Sequence, residues 1–129
     1  MTKLILIIDD EPDIRRIVQI SIERFGGWQT VLAASGYEGL QKLHSHTFDA
    51  ILLDISMPDM TGYEFFEQLQ DDPIGSQIPV ILLTAKALPS DRQRFSQMGI
   101  AGVITKPFKP SLVWKEVAQI LTWSIQDQN

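Results

Sequence analysis

The sequence contains no cysteine, which excludes disulfides, thiolate metal sites and cysteine nucleophiles and suits a cytoplasmic setting. It also lacks any run of Lys or Arg long enough to form a basic patch. Eleven basic residues stand against sixteen acidic ones, a formal charge of −5, so there is no basic footprint for a phosphate backbone and nucleic-acid binding is not expected. Long apolar stretches are missing too. The opening run Leu4 to Ile8 meets Asp9, Asp10 and Glu11 at once, too short for a signal-peptide core or a membrane span. There is no internal repeat, low-complexity segment or linker. With 44% hydrophobic and 21% charged residues over 129 positions, one packed domain covering 1–129 is expected. Its ordered core should run over about 3–125. A polar tail from Gln126 to Asn129 should be frayed, and no second module is expected to carry an output activity.

What is present alternates between two periodicities. Lys3 to Ile8 is apolar without alternation, the pattern of a strand covered on both faces and hence of a parallel sheet. Asp10-Glu11-Pro12-Asp13 then offers a cap, an early proline and first-turn acids. Ile14, Ile17, Val18, Ser21 and Ile22 follow at helical spacing as far as Gly26-Gly27. Thr30 to Ala34 reads as a second strand, Ser35 caps a helix through about His44, and Ala50 to Leu53 forms a third strand ending at Asp54. Tyr63 to Leu69 is helical up to Asp71-Asp72-Pro73. Ile78 to Leu83 is a fourth strand with Pro79 at its edge, and Ser90 to Met98 a short helix closed by Gly99. A fifth strand spans Gly102 to Thr105, and Pro110 opens a last helix reaching toward Ile125. Helix-length connectors force parallel pairing with right-handed crossovers, which gives a doubly wound five-stranded α/β sheet, (βα)5.

Ligands of such sheets bind beyond the carboxyl ends of the strands. There the sequence places Asp9 and Asp10, Asp54, Thr84 and Lys106: three carboxylates, a hydroxyl and an ammonium from four strands. Crowded carboxylates repel one another, and at least one pKa must rise unless a cation neutralises them. Mg²⁺, or Mn²⁺ in its place, would suit Asp10 and Asp54 together with phosphate oxygens. Asp54, already ionised, can then act as a nucleophile toward phosphorus, assisted by Thr84 and Lys106.

Four segments carry a resemblance. Ile7-Ile8-Asp9-Asp10-Glu11-Pro12, Leu53 through Gly62 (LDISMPDMTG), Leu83-Thr84-Ala85 and Lys106-Pro107-Phe108 are similar to the signature blocks of response-regulator receiver domains. Thr84 lies 30 residues and Lys106 52 residues after Asp54, as in chemotaxis-type single-domain regulators of two-component systems. The resemblance implies a flavodoxin-like strand order 2-1-3-4-5 and a phosphoacceptor at Asp54, charged by a sensor histidine kinase or phosphotransfer protein. It further implies direct metal binding by Asp10 and Asp54, Asp9 acting through water, the Ser56 backbone carbonyl as a ligand, and a cis peptide between Lys106 and Pro107. Ser56 and Lys86 occupy the positions that tune the lifetime of the phosphorylated state in that family. One departure stands out. Many members carry Tyr or Phe three residues before the lysine, where this chain has Val103, so the usual ring-rotamer switch cannot operate unchanged.

Each of these residues also has an ordinary reading: Asp9 to Glu11 as a helix start, Asp54 as a cap, Lys106 as a surface lysine. Taken together, their strand-end positions and complementary chemistry favour a site. His44 and His46 fall at a polar helix end and are assigned no phosphotransfer role. On the last helix, Trp114, Ala118, Leu121 and Ile125 form one stripe and Val113, Val117, Ile120 and Ser124 another. One should pack on the sheet. The rest, with Trp123, either folds onto the domain or forms contact surface on the face from the fourth to the fifth helix, where the family places downstream partners or a homodimer. Two enzyme or carrier classes share the topology. A haloacid-dehalogenase-type phosphatase needs a D-x-D pair that Asp9-Asp10-Glu11-Pro12 does not supply, and a flavin carrier needs a Gly/Ser/Thr phosphate loop where this chain is acidic. A receiver fold used as a phosphorylation-independent docking module is the remaining alternative.

Overall fold

A computed structural model of the chain describes residues 2–85 and 88–123. Ten principal elements alternate along it: β1 (Leu4–Ile8), α1 (Pro12–Ile20), β2 (Gln29–Ala33), α2 (Gly36–Lys42), β3 (Ala50–Asp54), α3 (Gly62–Gln70), β4 (Val80–Thr84), α4 (Pro89–Ser96), β5 (Gly102–Thr105) and α5 (Pro110–Leu121). All four strand pairs are parallel, in the order β2-β1-β3-β4-β5. The expected fold, a doubly wound flavodoxin-like α/β sheet, is the one observed.

The unbroken apolar strands follow from burial on both faces. Because side chains alternate across a strand, Leu6, Ile8, Ile51, Leu53 and Leu82 point to one side, where Leu43, Phe65, Phe66, Leu69 and Phe95 from α3, α4 and the end of α2 meet them. Ile5, Ile7, Leu52, Ile81 and Leu83 point to the other, against Val18, Ile22, Val113, Trp114 and Val117. Each fully buried Leu or Ile contributes about 1.5–3 kcal/mol relative to exposure. Local chemistry sets the helix starts. Ser35 accepts a hydrogen bond from the Glu38 N–H at 3.1 Å, and Thr61 and Glu64 form a reciprocal capping box at the start of α3.

Several expectations are corrected: the fourth strand spans Val80–Thr84 rather than Ile78 to Leu83, and the fourth helix Pro89–Ser96 rather than Ser90 to Met98. The second strand begins and ends one residue earlier than Thr30 to Ala34. The first helix does not run regularly to Gly26: after Ile20 it widens into a π turn, Ser21–Phe25, and buried Ser21 accepts a hydrogen bond from the Trp114 N–H at 3.3 Å. The last helix stops at Leu121 rather than reaching toward Ile125, which lies with Ser124 outside the described residues. Thr122 turns left-handed (φ 55°), and the Trp123 N–H reaches back to the Ala118 carbonyl at 2.8 Å, a Schellman-type stop. That reversal seats Trp123 edge-on against Trp28 at 5.1 Å between ring centroids. Trp114 meets the same indole at 6.2 Å, so both tryptophans pack onto the domain, Trp114 buried and Trp123 half-buried.

Candidate functional site

The strand registers assemble the carboxyl rim. Ile8 pairs with Ala33 on one side and Leu53 on the other, Asp54 with Leu83, and Thr84 with Thr105. The residues just past these pairs therefore crowd together. The Lys106 N–H donates to the Thr84 carbonyl at 2.8 Å, which fixes the lysine at the end of β5, and the Lys106-Pro107 peptide is cis, as expected. At the other side of the rim Asp59 sits in the left-handed region (φ 64°), and Gly62 lets α3 approach closely: a Cβ there would lie 2.5 Å from the Asp54 carbonyl oxygen.

Asp9, Asp10 and Asp54 each bring a carboxylate oxygen within 4.8 Å of the others. Lys106 Nζ donates to Asp9 Oδ2 at 3.2 Å and to Asp54 Oδ1 at 3.3 Å. Asp9 Oδ1 accepts from the Glu11 N–H at 2.9 Å, and the Ser56 N–H approaches Asp54 Oδ1 at 3.4 Å. Thr84 is buried at the end of β4 beside them. The sequence-derived set of Asp9, Asp10, Asp54, Ser56, Thr84 and Lys106 thus converges, whereas Lys86 lies outside the described residues. His44, exposed, pairs with Asp72 Oδ2 at 2.7 Å away from this rim, between the end of α2 and the segment after α3.

Burial is the main electrostatic cause here, ahead of the crowding anticipated from sequence. Asp9 is 0% and Asp54 3% exposed. Desolvation pushes both carboxyl groups above their ordinary value, with the Asp9 charge adding to the rise at Asp54, and Lys106 only partly offsets it. For Lys106 burial acts downward, yet two facing carboxylates outweigh it and hold the ammonium above its ordinary value. One cation is shared between two anions, so each carboxylate is half compensated while the lysine is doubly so.

The donor set fits a hard divalent cation. Asp10 Oδ1 is buried and takes no hydrogen bond, one of two such side-chain atoms among the described residues, the other being Trp28 Nε1. A buried carboxylate oxygen without a partner costs free energy that an ion would recover. Asp9, by contrast, has both oxygens engaged. Among the described residues both hydrogen bonds to the Asp54 carboxylate fall on Oδ1 and none on Oδ2.

A site missed by the sequence reading lies just behind. Arg15, on the first turn of α1, donates from Nη1 to the Asp9 carbonyl at 2.7 Å. A cation among acids at a helix start was the available signal.

A doubly wound sheet with an acidic, lysine-bearing pocket at its carboxyl rim defines a class of signalling domain, and comparison identifies it. The response regulator receiver domain family matches residues 5–118, and the chain belongs to that family. It is 36% identical to response regulator Rre1 of Synechocystis over 106 residues, 82% of this chain and 46% of Rre1. The chain spans about half the length, or less, of the first curated relatives it matches. The structure of the chemotaxis protein CheY4 of Vibrio cholerae superposes with a TM-score of 0.85 at 30% identity, over 93% of this chain and 99% of that one. The receiver domain of a sensor histidine kinase from Pseudomonas aeruginosa gives a TM-score of 0.82 at 26% identity, over 95% and 99% of the two chains, and was solved with a magnesium ion coordinated in its active site cleft. No described helix is long and apolar enough to cross a membrane.

Proposed function

We propose that the chain is a receiver switch that accepts a phosphoryl group on Asp54 from a histidine kinase, a phosphotransfer protein or a small phosphodonor. The observation that carries this reading is the convergence of Asp9, Asp10 and Asp54 within 4.8 Å around Lys106. In the reaction Asp54 Oδ2 attacks the phosphorus of a phosphohistidine. The P–N bond breaks, its electron pair leaves with the imidazole, which takes a proton, and an acyl phosphate remains on Asp54. Lys106 and Thr84 stabilise the charge on the transferring oxygens. Asp10, Asp54 and the Ser56 carbonyl would hold Mg²⁺, or Mn²⁺, with Asp9 acting through water; when bound, the ion neutralises the carboxylates and the incoming phosphoryl charge. Orphaned Asp10 Oδ1 and the magnesium in the related kinase receiver support that assignment.

The product is a state rather than a released compound, which makes the chain a switch and not a turnover enzyme. Phosphorylation adds about −1.5 to −2 charge to the rim. The change is read on the face from α4 to α5 by a downstream protein or a second copy, in the cytoplasm. Mass spectrometry after acetyl phosphate and Mg²⁺ treatment tests the proposal: one phosphoryl adduct is expected on the wild type and none on Asp54→Asn, and an unmodified wild type refutes it. Val103, half-buried where many relatives carry a ring, favours a second reading, a docking module whose surface does not respond to phosphorylation.

A further inference from the structure

We infer that Arg15 is a positioning residue for the metal-binding loop: its guanidinium fixes the Asp9-Asp10 peptide and so the direction in which Asp10 presents its carboxylate. The inference rests on the reading of the rim as a Mg²⁺-dependent pocket and names a residue that acts through another.

Arg15 stands in the first turn of α1, its N–H bonded to the Glu11 carbonyl at 3.0 Å. A cation at a helix N-terminus opposes the macrodipole, so the local rule is broken there. Acidic Glu11 and Asp13 are close in sequence, yet among the described residues Arg15 forms an ion pair with neither. It spends Nη1 on the Asp9 backbone oxygen at 2.7 Å, a length typical of charge-assisted bonds. A residue set against local preference and committed to one backbone acceptor is expected where function sets the choice.

Geometry shows what the bond controls. Asp9 is tied at every polar atom: its N–H to the Ala33 carbonyl at 3.2 Å, Oδ1 to the Glu11 N–H, Oδ2 to Lys106 Nζ, and its carbonyl to Arg15. That carbonyl belongs to the planar peptide joining Asp9 to Asp10. Holding its oxygen therefore sets the rotation of the peptide plane and the position of the Asp10 Cα. Asp10 Oδ1 takes no hydrogen bond of its own, so backbone restraint is what aims this carboxylate into the pocket.

Charge and restraint predict opposite signs. As a nearby cation Arg15 repels Mg²⁺, and its loss would tighten binding; as a clamp it preorganises Asp10, and its loss weakens binding. Calorimetric titration of the full chain with MgCl₂ separates the two. Arg15→Met is expected to bind Mg²⁺ roughly tenfold more weakly, in the range found for outer-sphere partners of metal ligands. Phosphorylation by acetyl phosphate should return to the wild-type extent at saturating Mg²⁺, a split that a general folding defect would not produce. Arg15→Lys, which keeps the charge and can still donate, should recover part of the loss, and Arg15→Gln, whose amide is too short to reach the Asp9 carbonyl, serves in place of Arg15→Met if the latter does not fold. Unchanged or tighter Mg²⁺ binding in Arg15→Met, or in Arg15→Gln where it stands in, overturns the inference and leaves the pocket reading intact. A wild type that takes up no Mg²⁺ overturns both.

Discussion

The Lys106 ammonium lies 3.3 Å from the Asp54 carboxylate across 52 residues of chain, and its second contact, Asp9 at 3.2 Å, makes it the counter-charge of a pocket that is otherwise anionic. Lys106 is 17% exposed at its side chain, while Asp9 and Asp54 are at 0% and 4%. Removing the cation strands two buried carboxylates. Lys106→Met is expected to lower stability in chelator at neutral pH by about 3 kcal/mol, the order found when one partner of a buried pair is deleted. Urea unfolding at pH 7 checks it, and the deficit should shrink as the pH is lowered, because burial raises the pKa of both carboxyl groups and they can take up protons instead.

The same pocket sets a pH dependence whose sign follows from burial. Asp9 and Asp54 have folded-state pKa values raised above the ordinary 3.8, desolvation being the chief cause. An acid that holds its proton more tightly when folded contributes stability that is complete below about pH 3.8 and is lost as pH rises through the folded-state value. Asp54→Asn removes one such group, so in chelator at pH 7 it should melt above the wild type, with the gap closing toward pH 4. Added Mg²⁺ should raise the wild-type melting temperature and move the variant much less. A variant that melts below the wild type in chelator at pH 7 would contradict the electrostatic account.

How far the sequence revealed this site depends on what its signals encode. Asp9, Asp54, Thr84 and Lys106 were legible because strand ends can be read from apolar runs, and parallel pairing brings those ends to one rim. Arg15 was not, because helical periodicity treats it as one more solvated cation; only its bond to a backbone oxygen sets it apart. The π turn at Ser21 was invisible for a related reason, since one extra residue in a turn leaves the apolar stripe almost unchanged. Trp123 illustrates the last limit. Periodicity showed an apolar helix end but not Trp28, its partner just before the edge strand, nor the left-handed Thr122 that turns the chain toward it.

Gly62 ties the third helix to the phosphoacceptor strand. A Cβ at this position would stand 2.5 Å from the Asp54 carbonyl oxygen and 2.8 Å from the Ile55 Cα, both backbone atoms that cannot move aside independently. Alanine gains about 0.5–1 kcal/mol of backbone propensity, but forced repacking costs about 1–3 kcal/mol, so Gly62→Ala should be destabilising by about 1 kcal/mol. Because the displaced strand end carries Asp54, its rate of modification by acetyl phosphate should fall as well. Chemical denaturation and a labelling time course measure the two effects separately.

Val103 sits in register with Leu82 on β5 and lines a groove of about 390 Å³ with Phe95, Ser96, Ile100, Gly102 and Thr105. The groove opens directly beside the Val103 side chain, and its volume exceeds the difference between valine and tyrosine. Val103→Tyr should therefore be accommodated with less than about 1 kcal/mol of change in stability, well under the usual cost of overpacking. Asp54 modification should proceed at the wild-type rate, since residue 103 touches none of the carboxylates. Amide chemical shifts on beryllofluoride addition then separate the two readings of the output face. If phosphorylation is coupled to α4 and β5 without a ring, both proteins shift residues there. If Val103 has uncoupled the surface, only Val103→Tyr moves them, and the wild-type response stays within the rim formed by Asp9, Asp10, Asp54 and Lys106.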